Sequence, residues 1–346
     1  MKIGRPPRSH LDGREESQRS PAPFTKIFQG NRNEHATPKE LERVTIFQLL
    51  DKYVFLWEYN IVYISRCCTL TSLYGNIMGC IRRLITDISA ELARYEAKGF
   101  SRNLAEVNVA MELAAFGIFR DFPDAFLIVG GACLVLYHDS LRHSADLDLL
   151  VCGATLPSHE EVVTSLKREL RLLAEVLGLG ELRYDIVAKG ETGTVFVAKQ
   201  KGESLFRVDL TRQGPAIESE IEEHRVEGDL GAAAVIRSAS KDLLLLQKAE
   251  AFLQRRHVKA RDAYDIGVLQ RCGAVLGVNL QAHLQDTILG NKFDEEFISG
   301  RIEEVNDKLC RLELKPILPK VIYSMLEGAS FLPLRESLKQ VYEEWL

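Results

Sequence analysis

Two aspartates separated by one residue, Asp146 and Asp148, are the strongest sign of chemistry in the chain. They lie in an apolar segment, 146–151, whose composition is typical of a β-strand. Because successive side chains of a strand point to opposite faces, both carboxylates would lie on one face, roughly 6 to 7 Å apart. Leu147 and Leu149 would fill the other face. This spacing predicts a site for a divalent cation, which prefers oxygen ligands.

A third carboxylate follows at Asp209, between the apolar residues Val208 and Leu210. If these two neighbours are buried against helices, Asp209 turns to the open face that carries the first pair. Between the two acidic strands the pattern predicts one helix and two further strands, at 158–177, 182–188 and 194–198. This order indicates an α+β fold with a mixed sheet and flanking helices, rather than a doubly wound sheet.

Two consecutive glycines, Gly130 and Gly131, interrupt the apolar run that begins at Phe126. A tight turn of glycines lets backbone N–H groups approach an anion closely, since no Cβ stands in the way. The pair therefore predicts a place where phosphate oxygens could bind.

A second group of charged residues lies in two predicted helices, the first of which Ser240 would open as an N-cap. The first helix carries Lys248, and the second carries Asp262 and Asp265. Residues three apart are neighbours on one helical face. Two interpretations are open: a salt-bridge lattice on a solvated helix pair, or a contribution to the site formed by the three aspartates.

Taken together, these motifs resemble the AbiEii/AbiGii toxin family, a branch of the nucleotidyltransferase superfamily that shares the polymerase β catalytic fold. The resemblance covers roughly residues 121–271. It rests on two groups of residues, Gly130, Gly131, Arg142, Ser144, Asp146, Asp148 and Asp209, and then Lys248, Ala251, Arg255, Arg261, Asp262 and Asp265. The chain departs from the family at Ala132-Cys133, where relatives often have Thr-Ala and hence a hydroxyl group.

The resemblance implies a polymerase β-like fold, followed by a helical C-terminal lobe, and transfer of an NMP from an NTP. Mg²⁺ is the implied cofactor, in a two-ion site held by three metal ligands, Asp146, Asp148 and Asp209. Asp209 would be the general base. The implied nucleotide contacts are Gly130, Gly131, Arg142, Ser144 and Lys248. The implied catalytic set is Asp146, Asp148, Asp209, Lys248 and Asp262, of which Asp262 would either fix Lys248 or touch the base or ribose.

The implied acceptor is a macromolecule: tRNA, as in relatives of this branch, or a protein hydroxyl, as in the wider superfamily. The implied partner is a winged-helix antitoxin, which would make the chain the toxin of a type IV toxin–antitoxin or abortive-infection system. Two alternatives keep part of this interpretation. One is a nucleotidyltransferase acting on a small molecule such as an aminoglycoside, which needs an acidic acceptor pocket. The other is a catalytically inert, nucleotide-binding scaffold.

The composition is ordinary for a soluble globular protein, since 46% of the 346 residues are hydrophobic, 27% are charged and the net charge is -5. Such a balance gives no global signal for nucleic acid, so RNA contact would need a local basic patch. Seven cysteines without a Cys-x-x-Cys pair predict reduced thiols in a cytoplasmic protein. The start has no secretory apolar region, and no segment is predicted to span a membrane.

Changes in composition and periodicity along the chain predict four regions. They are a disordered leader at 1–43, a helical N-terminal region at 44–120, a nucleotidyltransferase catalytic domain at 121–235 and a helical C-terminal lobe at 236–346.

Overall fold

The computed structural model describes residues 88–152, 156–189, 192–211, 220–227 and 233–346. All of them belong to one compact unit that spans Leu70–Leu346. The predicted leader and the first part of the predicted helical N-terminal region, up to residue 87, lie outside the described residues. The described remainder of that region is helical. The boundaries of the four predicted regions stay a prediction.

The first half of the described chain contains all the strands together with four helices, and helices alone fill the second half. The strands are β1 Phe126–Val129, β2 Asp146–Val151, β3 Arg183–Lys189, β4 Thr192–Ala198, β5 Ser204–Thr211, β6 Ile221–Glu227 and β7 Ala233–Ala239. A first helix, α1, covers 88–97. The others are α2 Arg102–Asp121, α3 Gly130–Tyr137, α4 His159–Val176, α5 Lys241–Gln254, α6 Ala260–Arg271, α7 Val278–Asn291, α8 Glu295–Glu304, α9 Asp307–Leu314, α10 Lys320–Gly328 and α11 Leu332–Val341.

The strands of the described chain form one seven-stranded sheet in the order β3-β4-β5-β2-β1-β7-β6. Strand β2 pairs in parallel with β5 and antiparallel with β1, and β1 pairs in parallel with β7. The remaining pairs are antiparallel. The predicted α+β class, with a mixed sheet, flanking helices and a helical C-terminal lobe, is therefore confirmed.

The two acidic strands are apolar on the face that packs against the core. Leu147 and Leu149 of β2 and Val208 and Leu210 of β5 are buried. Helices α2 and α4 pack on each other, and α4 covers β3 and β4. Burial of these four side chains fixes the register of both strands, because a slip of one residue would turn them to solvent.

Local signals in the sequence set the starts of the helices that flank the sheet. Ser158 accepts a hydrogen bond from the backbone N–H of Glu161 at 3.2 Å, and the Glu161 carboxylate accepts one from the Ser158 N–H at 2.7 Å. This capping box starts α4 within a residue of the prediction. Ser240 accepts from the N–H of Leu243 at 3.1 Å, so the predicted N-cap of α5 is also confirmed.

Helices α5 to α11 form the helical C-terminal part, in which α6 packs against α5, α9 and α11. The hydroxyl of Tyr342, near the end of the chain, donates a hydrogen bond to the carbonyl of Ala249 in α5 at 2.8 Å. Tyr342 itself is fully buried. The last helices are thereby tied to the pair that carries Lys248, Asp262 and Asp265.

Two strands were missed by the sequence analysis, which placed no element between residue 211 and Ser240. Strand β6 is an edge strand whose sequence, Ile221–Glu227, is mostly charged, and this suits an edge that must not pair with other chains. Strand β7 is rich in small residues and so has weak β-propensity. Its place beside β1 comes from tertiary pairing.

No helix in the described ranges is both long and apolar enough to cross a membrane.

Candidate active site

The three predicted metal ligands lie on one face of the paired strands β2 and β5. In this parallel pair Asp148 lies opposite Asp209, and Asp146 lies opposite Arg207. Residues that face each other on neighbouring strands point to the same side of the sheet. The structure therefore brings Asp146, Asp148 and Asp209 together on the open face, as the alternation of the sequence predicted.

Burial and the mutual repulsion of the carboxylates both act on the ionisation of this face. Burial, and then the charges of Asp146 and Asp209, raise the pKa of Asp148 to about 6. Lys248 and Arg207 oppose this shift. A carboxylate whose ionised form is destabilised by neighbours of like charge gains strongly when a cation arrives. The cluster therefore has the electrostatic character of a cation site.

Gly130 makes room for Asp148. Its φ is +70°, and a Cβ at this position would stand 2.1 Å from Oδ2 of Asp148. Gly130 opens α3 rather than forming an isolated turn, so the Asp148 carboxylate packs beside the N-terminus of a helix. The helix dipole favours negative charge there. The glycine predicted to approach phosphate is thus also a glycine required by a predicted metal ligand.

Gly131 packs against two of the three other residues predicted to contact the nucleotide. A Cβ on Gly131 would lie 2.5 Å from Nη2 of Arg142 and 2.5 Å from Oγ of Ser144. Both side chains are buried. Arg142 and Ser144 therefore lie directly against the glycine pair, on the other side from Asp148.

Arg142 is held by Asp265 in a two-pronged ion pair. Its Nε lies 2.5 Å from Oδ1 and its Nη2 lies 2.9 Å from Oδ2 of Asp265. Its Nη1 donates to the carbonyl of His143 at 3.0 Å. Burial alone would raise the pKa of Asp265, but Arg142 and Lys248 hold it below the usual range. In this structure Arg142 is thus engaged by protein groups, and its predicted contact with a nucleotide stays a prediction.

Lys248 joins the same network from α5. Its Nζ lies 2.9 Å from Oδ2 of Asp265 and 3.8 Å from Oδ1 of Asp262, and Arg255 Nε lies 3.2 Å from Oδ2 of Asp262. Both aspartates are fully buried. The salt-bridge lattice expected from the sequence does exist, but it is buried rather than solvated. It reaches the glycine pair through Arg142, so it also braces the candidate site.

Asp262 and Asp265 differ in their partners. Asp262 was placed in the catalytic set, whereas Asp265 is the residue that contacts both Arg142 and Lys248. Burial raises the pKa of Asp262 although Lys248 and Arg255 oppose it. Neither oxygen of Asp262 accepts a hydrogen bond within the described ranges. Spacing alone could not rank the two, because both lie on the same helical face.

Two further residues at the carboxylate cluster were not predicted. Arg207 donates from Nε to Oδ2 of Asp209 at 2.8 Å and from Nη2 to Oδ2 of Asp146 at 3.1 Å. Thr194 donates to Oδ1 of Asp209 at 2.6 Å. The alternation of β5 could have placed Arg207 on the face of Asp209. Thr194 depends on the register between β4 and β5, which the sequence does not reveal.

A groove of about 390 Å³ opens beside the cluster. It is lined by Asp148, Val187, Thr192, Gly193, Thr194, Asp209, Leu210 and Thr211. Its volume falls in the range of small-molecule sites, roughly 300 to 1,000 Å³. The groove brings a ligand of that size within reach of two of the three carboxylates.

The chemistry of the three side chains suits Mg²⁺, which takes carboxylate oxygens as ligands. Within the described ranges, no three His, Cys, Asp or Glu side chains are already arranged around a common metal position. One oxygen each of Asp146 and Asp209 is instead turned to Arg207. The donor set is therefore present, with a guanidinium between two of its members.

Comparison with known proteins assigns the chain to a family. The model of the family described as "Nucleotidyl transferase AbiEii toxin, Type IV TA system" matches residues 113–327, which is more than half of the chain. The chain belongs to this AbiEii family and is a nucleotidyltransferase. The predicted resemblance is thereby confirmed. No curated protein matches the sequence.

Two solved structures are similar at low identity. One is a protein from H. pylori described as a candidate nucleotidyltransferase, with 16% identity and a TM-score of 0.42, covering 71% of this chain and 97% of that one. The other is JHP933 from Helicobacter pylori, with 17% identity and a TM-score of 0.39, covering 71% of this chain and 94% of that one.

The close approach of Gly130 to Asp148 can be tested with a matched pair of glycine substitutions. Gly130→Ala adds a methyl group against the Asp148 carboxylate, whereas Gly178, with a φ of +63°, has no atom within 4 Å of the corresponding position. Both variants carry the strain of alanine at positive φ, about 1 kcal/mol. We expect a fall in nucleotidyl transfer of about a hundredfold for Gly130→Ala alone. Equal activities of the two variants would contradict the proposed packing.

The raised pKa of Asp148 predicts that Asp148→Asn stabilises the metal-free protein. A folded-state pKa of about 6, above the ordinary 3.8, gives stability that is fully present below pH 3.8 and is lost as the pH rises to about 6. Asparagine removes this loss. In EDTA, we expect the melting temperature of Asp148→Asn to exceed that of the wild type at about pH 7.5, with the difference shrinking as the pH falls below about 6 and vanishing only below about pH 4. An unchanged or lower melting temperature at the higher pH would contradict the raised pKa.

Proposed function

We propose that this protein is a Mg²⁺-dependent enzyme that transfers an NMP from an NTP to tRNA, as the toxin of a type IV toxin–antitoxin or abortive-infection system. The observation that carries the proposal is the register of β2 and β5, which aligns Asp148 with Asp209 and leaves Asp146 on the same open face. The family supports the reaction class, and its description names a type IV system.

Asp146, Asp148 and Asp209 would hold the cation. When bound, Mg²⁺ supplies charge neutralisation for the triphosphate and lowers the pKa of an attacking hydroxyl. Phosphoryl transfer needs positioning and electrostatic stabilisation more than covalent chemistry. Asp209 would accept the proton of the acceptor hydroxyl, and the hydrogen bond from Thr194 to its Oδ1 would hold that carboxylate in place.

The N–H groups at the start of α3 would receive phosphate oxygens of the NTP, because a helix N-terminus with glycines offers unobstructed donors. Ser144 and Arg142 would pack against Gly131 and support the glycine pair, and Arg142 would add positive charge there. Lys248, whose charge acts on Asp148, would be the second cation facing the triphosphate. Asp262 and Asp265 would hold Lys248 in the buried network.

The basic residues of the loop between α5 and α6 support a nucleic-acid acceptor. Arg256 and His257 are exposed there, beside Arg255, which reaches the buried network through Asp262, and Arg261 is exposed in the first turn of α6. Clustered basic residues are the electrostatic signature of a phosphate backbone site. These residues would form the local basic patch that RNA binding needs, because the net charge of the whole chain is -5. A cognate antitoxin, of the winged-helix type, would be the protein partner.

A small-molecule acceptor is the second candidate, and the groove favours it. With a volume of about 390 Å³ and two aspartates in its lining, the groove would suit a small cationic acceptor such as an aminoglycoside. In that case the enzyme would confer resistance to the drug on expression, without arresting growth.

The reaction and its acceptor can be tested together. Purified protein is incubated with Mg²⁺, total tRNA or an aminoglycoside, and each α-³²P-labelled NTP in turn. The matched variants are Asp146→Ala/Asp148→Ala and Asp286→Ala, an exposed aspartate on α7.

We expect label in tRNA with the wild type and Asp286→Ala, and background with the double variant. Label in the aminoglycoside alone would establish the second candidate. Equal transfer by the double variant would refute the assigned site, and NTP binding without any transfer would leave an inert scaffold.

A further inference from the structure

Arg207 sits where a cation would be expected. Its guanidinium bridges Asp146 and Asp209, with N–O distances of 3.1 and 2.8 Å, and its side chain is 44% exposed. The bridge follows from the register, because Arg207 lies directly opposite Asp146 and two residues before Asp209 on the same face. A positive group thus joins two carboxylates that the family reaction assigns to a metal.

The two hydrogen-bond donors to Asp209, Thr194 and Arg207, differ in whether they are compatible with a cation bound to that carboxylate. Thr194 is neutral and donates to Oδ1 of Asp209, while Arg207 is charged and donates to Oδ2. A neutral hydroxyl can keep its hydrogen bond when the carboxylate also binds a cation, since each oxygen has two lone pairs. A guanidinium in the same place would repel a divalent ion. For Asp209 to bind a divalent cation, only the guanidinium of Arg207 must therefore move away.

The structure permits that movement. The backbone N–H of Arg207 donates to the carbonyl of Ala145 at 3.0 Å, so the strand holds the main chain. The side chain is long and borders solvent, and it can therefore swing out without disturbing the sheet. Its bridge satisfies the two carboxylates in the meantime, which would otherwise repel each other and Asp148.

We infer that Arg207 is an internal counter-cation of the site, which bridges Asp146 and Asp209 in the metal-free protein and is displaced when a divalent cation binds. This inference rests on the proposed function, because it takes those aspartates as metal ligands. Arg207 is thus a positioning residue: it keeps the metal-free ligands on the open face and sets the concentration of metal at which the site fills.

Metal affinity is the direct test, and it needs no substrate. Mn²⁺ is the probe, and its binding is measured by electron paramagnetic resonance. Arg207→Ala removes the bridge and the charge, whereas Arg207→Lys keeps the charge but loses the fork that spans two carboxylates. Arg225→Ala is the control, since Arg225 lies on β6 and pairs with Glu227, also two residues away, at 3.9 Å.

We expect Mn²⁺ to bind Arg207→Ala about tenfold more tightly than the wild type. Arg207→Lys should also bind more tightly than the wild type, and Arg225→Ala should not differ from it. If Arg207 acts only as a nearby charge, Arg207→Lys will match the wild type, and the inference fails. Unchanged affinity in Arg207→Ala would overturn it as well.

Melting temperature supplies an independent readout. Without its counter-cation the metal-free protein should melt lower, so Arg207→Ala should lose roughly 2 to 4 °C in EDTA and recover this loss in saturating Mn²⁺. A plain structural ion pair would instead lower the melting temperature equally in both conditions, which would count against the inference.

The variant Asp146→Ala distinguishes failure of the Arg207 inference from failure of the proposed metal site. If it abolishes Mn²⁺ binding while the Arg207 variants behave as the wild type does, the inference alone is wrong. If the wild type binds no Mn²⁺, or Asp146→Ala binds it equally well, the metal site of the proposed function fails together with the inference.

Discussion

Repulsion among three carboxylates on adjacent strands is the constraint on which the rest of the structure depends. Paired strands hold Asp148 opposite Asp209, and the burial of Leu147, Leu149, Val208 and Leu210 prevents either strand from turning. Burial, together with the charges of Asp146 and Asp209, raises the pKa of Asp148 to about 6. Sites that accumulate like charge are less stable than their surroundings, and they recover that energy when the ligand binds.

Positive charge reaches the cluster from two directions. Arg207 contacts it from the open face. Lys248 approaches from the helical C-terminal part and Arg142 from the segment before β2, and both are fixed by Asp265, which lies on α6. Buried charges are tolerated only when they are paired, so the loss of one member would leave another uncompensated. The helices after the sheet are therefore a component of the site, because the residues behind the glycine pair are bound to them.

The sequence predicted those parts that follow from local periodicity. Alternation placed Asp146, Asp148 and Asp209 on one face, and the sequence also predicted the N-cap Ser240 and a helix start near residue 158. Strands β6 and β7 were missed because their pairing partners are distant and their side chains are charged or small. The bridge of Arg207, the hydrogen bond of Thr194 and the groove depend on register between strands, which no single segment contains.

The most direct measurement is a crystal structure of the protein with Mn²⁺ and an NTP analogue whose bond between the α- and β-phosphates cannot be cleaved. The account predicts anomalous density for Mn²⁺ among Asp146, Asp148 and Asp209, with the triphosphate at the N-terminus of α3 beside Gly130 and Gly131. Manganese bound elsewhere, or a nucleotide seated away from the glycine pair, would contradict the assignment of this face as the active site.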